Sequence, residues 1–357
     1  MRTVIGILLA LLSSSVLQAQ SFDLGDFLQP EKALTSKVDS LYFRLTSSQR
    51  IAQMIMPAGG EHGREISELC KLAQEEKIGG VLFLGGTSAE FQVYFDSLTT
   101  AQNFPFVNSL DAEPSLIPYK LRENKVFRKT NTIKDSLSCD SVVAQIDQLL
   151  KAVHVGINFA PVADLSPNKE IIGHRSFGAE DSIVIPLCEA FIARSLKDSI
   201  LPVIKHFPGH GHVKGDSHKK LVYIDGSFQE LEIFNSLIKN GAPAVMAGHI
   251  AVRNNAYETE LPATCSRRIL TDLLRDSLGF EGLIISDAFN MGAVSNLEDA
   301  PFLSALAGCD ILLMPKDPAA LHAQLMNRCK EDEVFAQQIE ASVKRILRLK
   351  ICLGLIP

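Results

Sequence analysis

Short runs of β-branched or apolar residues, each bounded by Gly, Pro or polar residues, recur along this chain, and the segments between them carry apolar residues at helical spacing. They fall at residues 53–57, 80–84, 104–110, 157–162, 202–206, 244–249, 283–286 and 310–314. Strands that alternate with helices pair in parallel, because each helix carries the chain back across the sheet. Eight such units with no strand cluster left over predict an α/β fold, a single (β/α)8 TIM-type barrel over residues 20–357. A length of 357 residues also admits two domains of about 150. No Gly/Ser-rich or Pro-rich linker, internal repeat or low-complexity tract marks where a second would begin. Helices are expected at 266–277, opening on Ser266 and burying Ile269, Leu270, Leu273 and Leu274, and at 335–349 as the closing helix. Residues 116–141 are polar and basic and read as a long loop leading into the third helix.

Residues 1–19 stand apart from the barrel. Arg2, the apolar run from Val4 to Leu12, then Ser13 to Ser15 and Ala19 make a secretory signal peptide, cut after Ala19. Nine apolar residues are too few to span a bilayer, where about 20 are needed. No Cys follows the run to take a lipid. The expectation is a protein exported to a periplasm or the medium, without a membrane anchor. Seven scattered cysteines, odd in number and without a C-x-x-C, are expected to be mostly free and buried. A net charge of −6, from 35 Lys plus Arg against 41 Asp plus Glu, gives no electrostatic reason to expect nucleic acid.

In a barrel of this kind the reactive groups sit at the C-terminal ends of the strands. The apolar runs here end at Asp111 and Glu113, Asp164, Lys205 and His206, His249, and Asp287. Any one of these carboxylates reads as a helix cap or turn residue. Five polar strand ends together read as a site, since such groups are costly to bury unpaired. The densest cluster is Lys205-His206-Phe207-Pro208-Gly209-His210-Gly211, continuing to Asp216-Ser217-His218. Gly209, Gly211 and Gly215 make it a permissive loop, suited to closing over a bound molecule. Asp216, two residues before His218, is placed to orient an imidazole for acid/base work near neutral pH.

That segment resembles the signature of the β-N-acetylglucosaminidases of glycoside hydrolase family 3. Matching stretches are spread along the chain: Ile157-Asn158-Phe159-Ala160-Pro161-Val162-Ala163-Asp164, Arg175-Ser176-Phe177-Gly178 and Gly279-Phe280-Glu281-Gly282-Leu283-Ile284-Ile285-Ser286-Asp287. The resemblance implies a barrel fold and a retaining exo-glycosidase that removes terminal β-linked N-acetylglucosamine from a carbohydrate such as a peptidoglycan fragment, with no metal or other cofactor. Asp287 would match the nucleophile that forms a covalent glycosyl-enzyme. His218, held by Asp216, would match the acid/base. Asp111, Arg175, Lys205 and His206 would match residues that grip the sugar.

The chain departs from the family pattern in three places. Where the family has Asp-Gln-Glu-Gly-Gly-Arg-Val and a further Arg, this chain runs Asp111-Ala112-Glu113-Pro114-Ser115-Leu116-Ile117-Pro118-Tyr119-Lys120. A sugar-binding arginine is then either missing or replaced by Lys120, which lacks its planar fork. His212 replaces an Asp, and Ala288 stands where a second Asp follows the nucleophile. Two other readings compete. One is a barrel that binds glycans without cleaving them. The other is a metal-dependent hydrolase with His206, His210, His212, Asp216 and His218 as ligands.

Overall fold

The computed structural model describes residues 21–123 and 125–357. The leader read at residues 1–19 lies outside them. The strand pairings run in a ring. The first strand, Ile55–Met56 continuing as Ala58–Gly59 beyond Pro57, pairs with Gly80–Phe83. That strand pairs with Val107–Leu110, which pairs with Val155–Asn158. The fifth strand, Leu201–Pro202 and Ile204–Phe207, joins Val155–Asn158 on one side and Ala244–Ala247 on the other. Ala244–Ala247 pairs with Leu283–Ser286, and a bridge from Ile285 to Ile311 leads to the eighth strand, Leu312–Leu313. Leu312–Leu313 pairs with Ile55–Met56, so the ring closes on itself with every pairing parallel. This is the (β/α)8 barrel expected from the alternation of runs.

Several boundaries differ from the sequence reading. The first strand extends to Gly59 rather than ending at Pro57, because a proline only removes one N–H from the ladder. The third strand begins at Val107 rather than 104, and the fourth occupies Val155–Asn158 rather than 157–162. The helix expected at 266–277 runs Arg268–Ser277. The expected Ser266 cap is not found: the N-cap is Arg267, no side chain caps the helix, and Ser266 contributes only its carbonyl, which accepts from the N–H groups of Ile269 and Leu270. Its apolar face is buried as expected. The stretch 116–141 holds a short helix, Ile117–Lys120, before the third long helix begins at Ser136. A parallel pair outside the barrel, Val222–Asp225 with Ile250–Arg253, is absent from the sequence reading. It matters for the site, because it ties the segment after His218 to the segment after His249. All seven cysteines are free, five of them buried. Among the described residues no helix is long and apolar enough to cross a membrane.

The closing helix, Glu333–Cys352, reaches under the N-terminal mouth of the barrel. There the fully buried Lys350 donates to Gln53 Oε1 at 2.5 Å, Gly79 O at 2.8 Å and Pro105 O at 2.7 Å, just ahead of the first three strands. With only neutral acceptors around it, burial pushes the ammonium down to about 7.

Between the helices Ser136–Ala152 and Asp181–Lys197 lies a second buried charge. Asp147 accepts a hydrogen bond from Ser195 Oγ at 3.0 Å through one oxygen, and its other oxygen has no protein partner. Burial pushes its carboxyl up to about 7. The folded protein therefore keeps a proton that the unfolded chain releases above about pH 4, and stability is lost as the pH rises from about 4 to about 7. Asp147→Asn, which keeps the shape and cannot ionise, is expected to melt a few degrees above the parent at pH 8 and within about a degree of it at pH 4. Thermal melts at the two pH values check this, and a gain of equal size at both would rule out the ionisation as its cause.

Candidate active site

The residues singled out at the strand ends converge on the C-terminal mouth of the barrel. A cavity of about 220 Å3 is lined by Asp111, Lys120, Arg175, Lys205, His206, His218 and Asp287. Asp111 follows the third strand, Lys205 and His206 lie within the fifth, and Asp287 follows the seventh. Lys120 ends the short helix Ile117–Lys120, and Arg175 ends a single turn in the long connection after the fourth strand. Phe159, Met246, Met291 and Met314 supply apolar wall. Asp216 stands behind His218 rather than on the cavity surface.

One side of the cavity is an ionic lattice. Lys205 Nζ sits 2.6 Å from Asp111 Oδ1 and 2.6 Å from Glu113 Oε1. The Arg175 fork closes on the same carboxylate, Nη2 donating to Oε1, which it shares with Lys205, at 2.6 Å and Nε donating to Oε2 at 2.9 Å. Burial alone would raise the Glu113 carboxyl, but Arg175 and Lys205 hold it far below the usual range. Burial alone would likewise lower Lys205, and Asp111 and Glu113 more than reverse that. Both bases stay charged with their remaining donors at the cavity. Glu113 stood in the sequence as a strand-end residue without a role. Its signal was its place two residues after Asp111, and its partners lie far along the chain.

Asp164 does the same for His206. Its buried carboxylate accepts from His206 Nδ1 at 2.6 Å and from the backbone N–H groups of His206 and His210. Asp287 shares the cavity with His206 and lies near the buried His249, which bonds Thr264 Oγ1 and donates to Ala288 O. Burial would raise the Asp287 carboxyl, but the imidazoles of His249 and His206 and the Ala288 N–H at 2.8 Å hold it below its ordinary value. It is therefore an ionised carboxylate with an oxygen free for chemistry.

The glycine-rich loop is anchored along its length. At its base, buried Glu230 accepts from Leu165 N at 2.6 Å and Gly211 N at 2.9 Å. Its carboxyl is pushed up to about 8, by burial first and by the charge of Asp164 second. A Cβ at Gly211 would lie 2.2 Å from Leu165 O and 2.3 Å from Glu230 Oε1, so no other residue fits there. Farther along, His210 Nε2 bonds Ser217 Oγ at 2.9 Å, and Asn168 bonds both His210 and Gly215. At its tip Asp216 Oδ1 accepts from His218 Nδ1 and from His218 N, each at 2.9 Å. This is the orientation that the two-residue spacing suggests, and it leaves Nε2 to exchange a proton. The Asp216 carboxyl lies below its ordinary value because the His218 bonds outweigh its partial burial. The His218 ring is 58% exposed. Glu230, His249 and Asn168 are parts of the site that the motif reading did not assign.

The histidines are dispersed over separate partners: His206 on Asp164, His210 on Ser217, His218 on Asp216, and His212 at 3.9 Å from Glu230. Among the described residues no group of three or more His, Cys, Asp and Glu side chains is arranged to hold a metal ion.

The family model described as the glycosyl hydrolase family 3 N terminal domain matches residues 46–349. A relative named beta-hexosaminidase A, from Pseudoalteromonas piscicida, is 30% identical over 329 residues, covering 79% of this chain and 55% of the relative. A beta-hexosaminidase of Hydrogenovibrio crunogenus is 38% identical over 216 residues, covering 58% of this chain and 59% of its own length. The chain thus spans little more than half the length of these relatives. A solved family 3 β-N-acetylglucosaminidase from Paenibacillus superposes with a TM-score of 0.78 at 27% identity, over 87% of this chain and 63% of that one. A β-N-acetylhexosaminidase from Beutenbergia cavernae shares the fold, with a TM-score of 0.76 at 24% identity over 85% of this chain and 98% of that one.

The lattice yields a stability prediction. Glu113→Gln keeps the volume but leaves Lys205 and Arg175 buried around a neutral amide, and it is expected to lower unfolding free energy by about 3–5 kcal/mol. Asp111, still 22% exposed, leaves Lys205 its bond to Glu113, so Asp111→Asn should cost roughly 1 kcal/mol. Urea unfolding of the two variants checks the order. Equal losses would show that Glu113 is not the keystone.

Proposed function

Because the chain belongs to glycosyl hydrolase family 3, we propose that it is a retaining exo-glycosidase that releases terminal β-linked N-acetylglucosamine. The observation that carries this reading is the joint placement of Asp287 and of His218, backed by Asp216, around one small cavity. A volume of about 220 Å3 lies below the roughly 300–1,000 Å3 of drug-sized sites and suits one sugar ring better than an internal stretch of polymer. The N-acetylglucosamine preference rests on the motif resemblance and on the names of the relatives. Peptidoglycan fragments are a fitting source of such termini for an exported protein.

The residues divide the work. Asp111, Lys205 and Arg175, charged and held by the Glu113 lattice, grip the sugar hydroxyls, with His206 and Lys120 completing the ring of contacts. One Asp287 oxygen attacks the anomeric carbon as the bond to the leaving oxygen breaks, and His218 Nε2 delivers its proton to that oxygen. The product is a glycosyl ester on Asp287 and a neutral imidazole. His218 then takes a proton from water, whose oxygen attacks the anomeric carbon, and the ester breaks to return the Asp287 carboxylate. Asp216 keeps Nδ1 protonated throughout, which reserves Nε2 for both transfers.

Two variants test the assignment together. Asp287→Ala is expected to abolish turnover of p-nitrophenyl N-acetyl-β-glucosaminide while melting close to the parent, and a slow fluorinated substrate is expected to label Asp287 in a mass-spectrometric peptide map. His218→Ala is expected to slow glycosylation on the order of 100- to 10,000-fold with a poor leaving group, and far less with a dinitrophenyl leaving group. A label on another residue would remove Asp287 from its role. Binding of the sugar without turnover by the parent would favour the non-catalytic reading.

We also propose export, resting on residues 1–19. Cell fractionation with N-terminal sequencing is expected to find the protein outside the cytoplasm and starting at or near Gln20, and protein confined to the cytoplasm with an intact Met1 terminus would overturn it.

A further inference from the structure

The seat on which the acid/base loop rests is built from the segment just after Asp287. Gly292–Val294 forms a single turn whose first two N–H groups have no acceptor inside it. They donate outward instead, Gly292 N to His218 O at 2.9 Å and Ala293 N to Ser217 O at 3.1 Å. The turn is not free to yield. Val294 is buried in a small apolar cluster with Cys265 and Ala300, and Gly292 O accepts from Ser295.

The contact leaves no room for a side chain. A Cβ on Gly292 would lie 2.5 Å from Lys219 O, 2.6 Å from Lys219 C and 2.7 Å from His218 O. All three are backbone atoms, so nothing can rotate aside and the loop itself must lift. The loop is tethered on its other flank by the bond between His210 and the buried Ser217. Lifting it therefore rotates the His218 peptide relative to the cavity rather than merely loosening it.

We infer that Gly292 is a positioning residue for His218: its bare Cα and its N–H fix how far the acid/base loop stands from the strand end that carries Asp287. Gly292 touches neither the sugar nor the reacting atoms. It acts through the His218 imidazole, whose partner Asp216 lies on the same loop. Adding a methyl group there should damage proton transfer and leave nucleophilic attack alone, because an offset of about 1 Å at a reacting group can cost on the order of 100-fold.

This inference rests on the proposed role of His218, and the experiment separates the two. Single-turnover glycosylation is measured for the parent, His218→Ala, Gly292→Ala and the double variant, each with a dinitrophenyl and an alkyl N-acetyl-β-glucosaminide. Gly292→Ala is expected to lose on the order of 100-fold on the alkyl glycoside and less than about threefold on the activated one. The double variant is expected to be no slower than His218→Ala alone, since a seat has no effect once its imidazole is gone. Parent-like behaviour of Gly292→Ala, equal losses on both substrates, or additive losses in the double variant would overturn the inference. An absence of leaving-group dependence in His218→Ala would instead overturn the reading beneath it. Should Gly292→Ala fail to fold, Ser217→Ala reads the same seat from its other flank by breaking the bond to His210 without adding an atom. A smaller loss confined to the alkyl glycoside supports the seat, and a parent-like ratio overturns it.

Discussion

Glu113 is the carboxylate on which the sugar side of the cavity depends. It is fully buried beside two cations, each of which would be untenable at that depth alone. Its partners arrive from different parts of the chain, Lys205 from the fifth strand and Arg175 from the connection after the fourth. Satisfying one carboxylate therefore fixes the relative placement of three strand ends. The arrangement also sets the electrostatics, because Asp111 and Glu113 balance Lys205 and Arg175 and leave directed donors rather than a net field. Such a surface suits a neutral, hydroxyl-rich ligand better than an ion.

The two groups proposed to exchange bonds and protons are held quite differently. Asp287 belongs to a strand end, its N–H bonded to Ala247 O and its carboxylate set among imidazoles. His218 projects from a loop whose fixed points are Glu230 at the base, His210 along the flank and Gly292 beneath the tip. A nucleophile must meet one carbon in one direction, and rigid backbone serves that need. An acid/base partner must serve a departing alcohol and then an arriving water, and a loop with a few firm contacts leaves room for both to pass.

Much of this was legible in the sequence because barrel chemistry is written at strand ends. Eight apolar runs counted the strands, and the polar residues behind them named Asp111, Lys205, His206 and Asp287 of the cavity lining. The less legible parts depend on contacts between distant segments. Glu113 was visible as a residue but not as a keystone, since Lys205 lies 92 positions further on. Glu230 sits at the start of a helix in no motif, and only the fold brings it beneath Gly211. Gly292 looks like any turn glycine until the His218–Lys219 peptide is laid against it. The pair Val222–Asp225 and Ile250–Arg253 was missed because its strands lie outside the ring that the alternation describes. Strand limits moved by a few residues wherever a proline or a bend broke the ladder without ending the strand.

The closure of the ring has a consequence for how the molecule is made. Ile55–Met56 finds its outer partner only in Leu312–Leu313, and Lys350 reaches across to Gln53, Gly79 and Pro105. A nascent chain emerging from its N-terminal side carries an unsatisfied strand edge until residue 313 is available, and an uncapped lower mouth until residue 350 follows. Contacts spanning this much sequence form late and slowly. The barrel is thus a structure that its own synthesis cannot complete piecemeal, since its first strand stays an open edge until nearly the whole chain has been made.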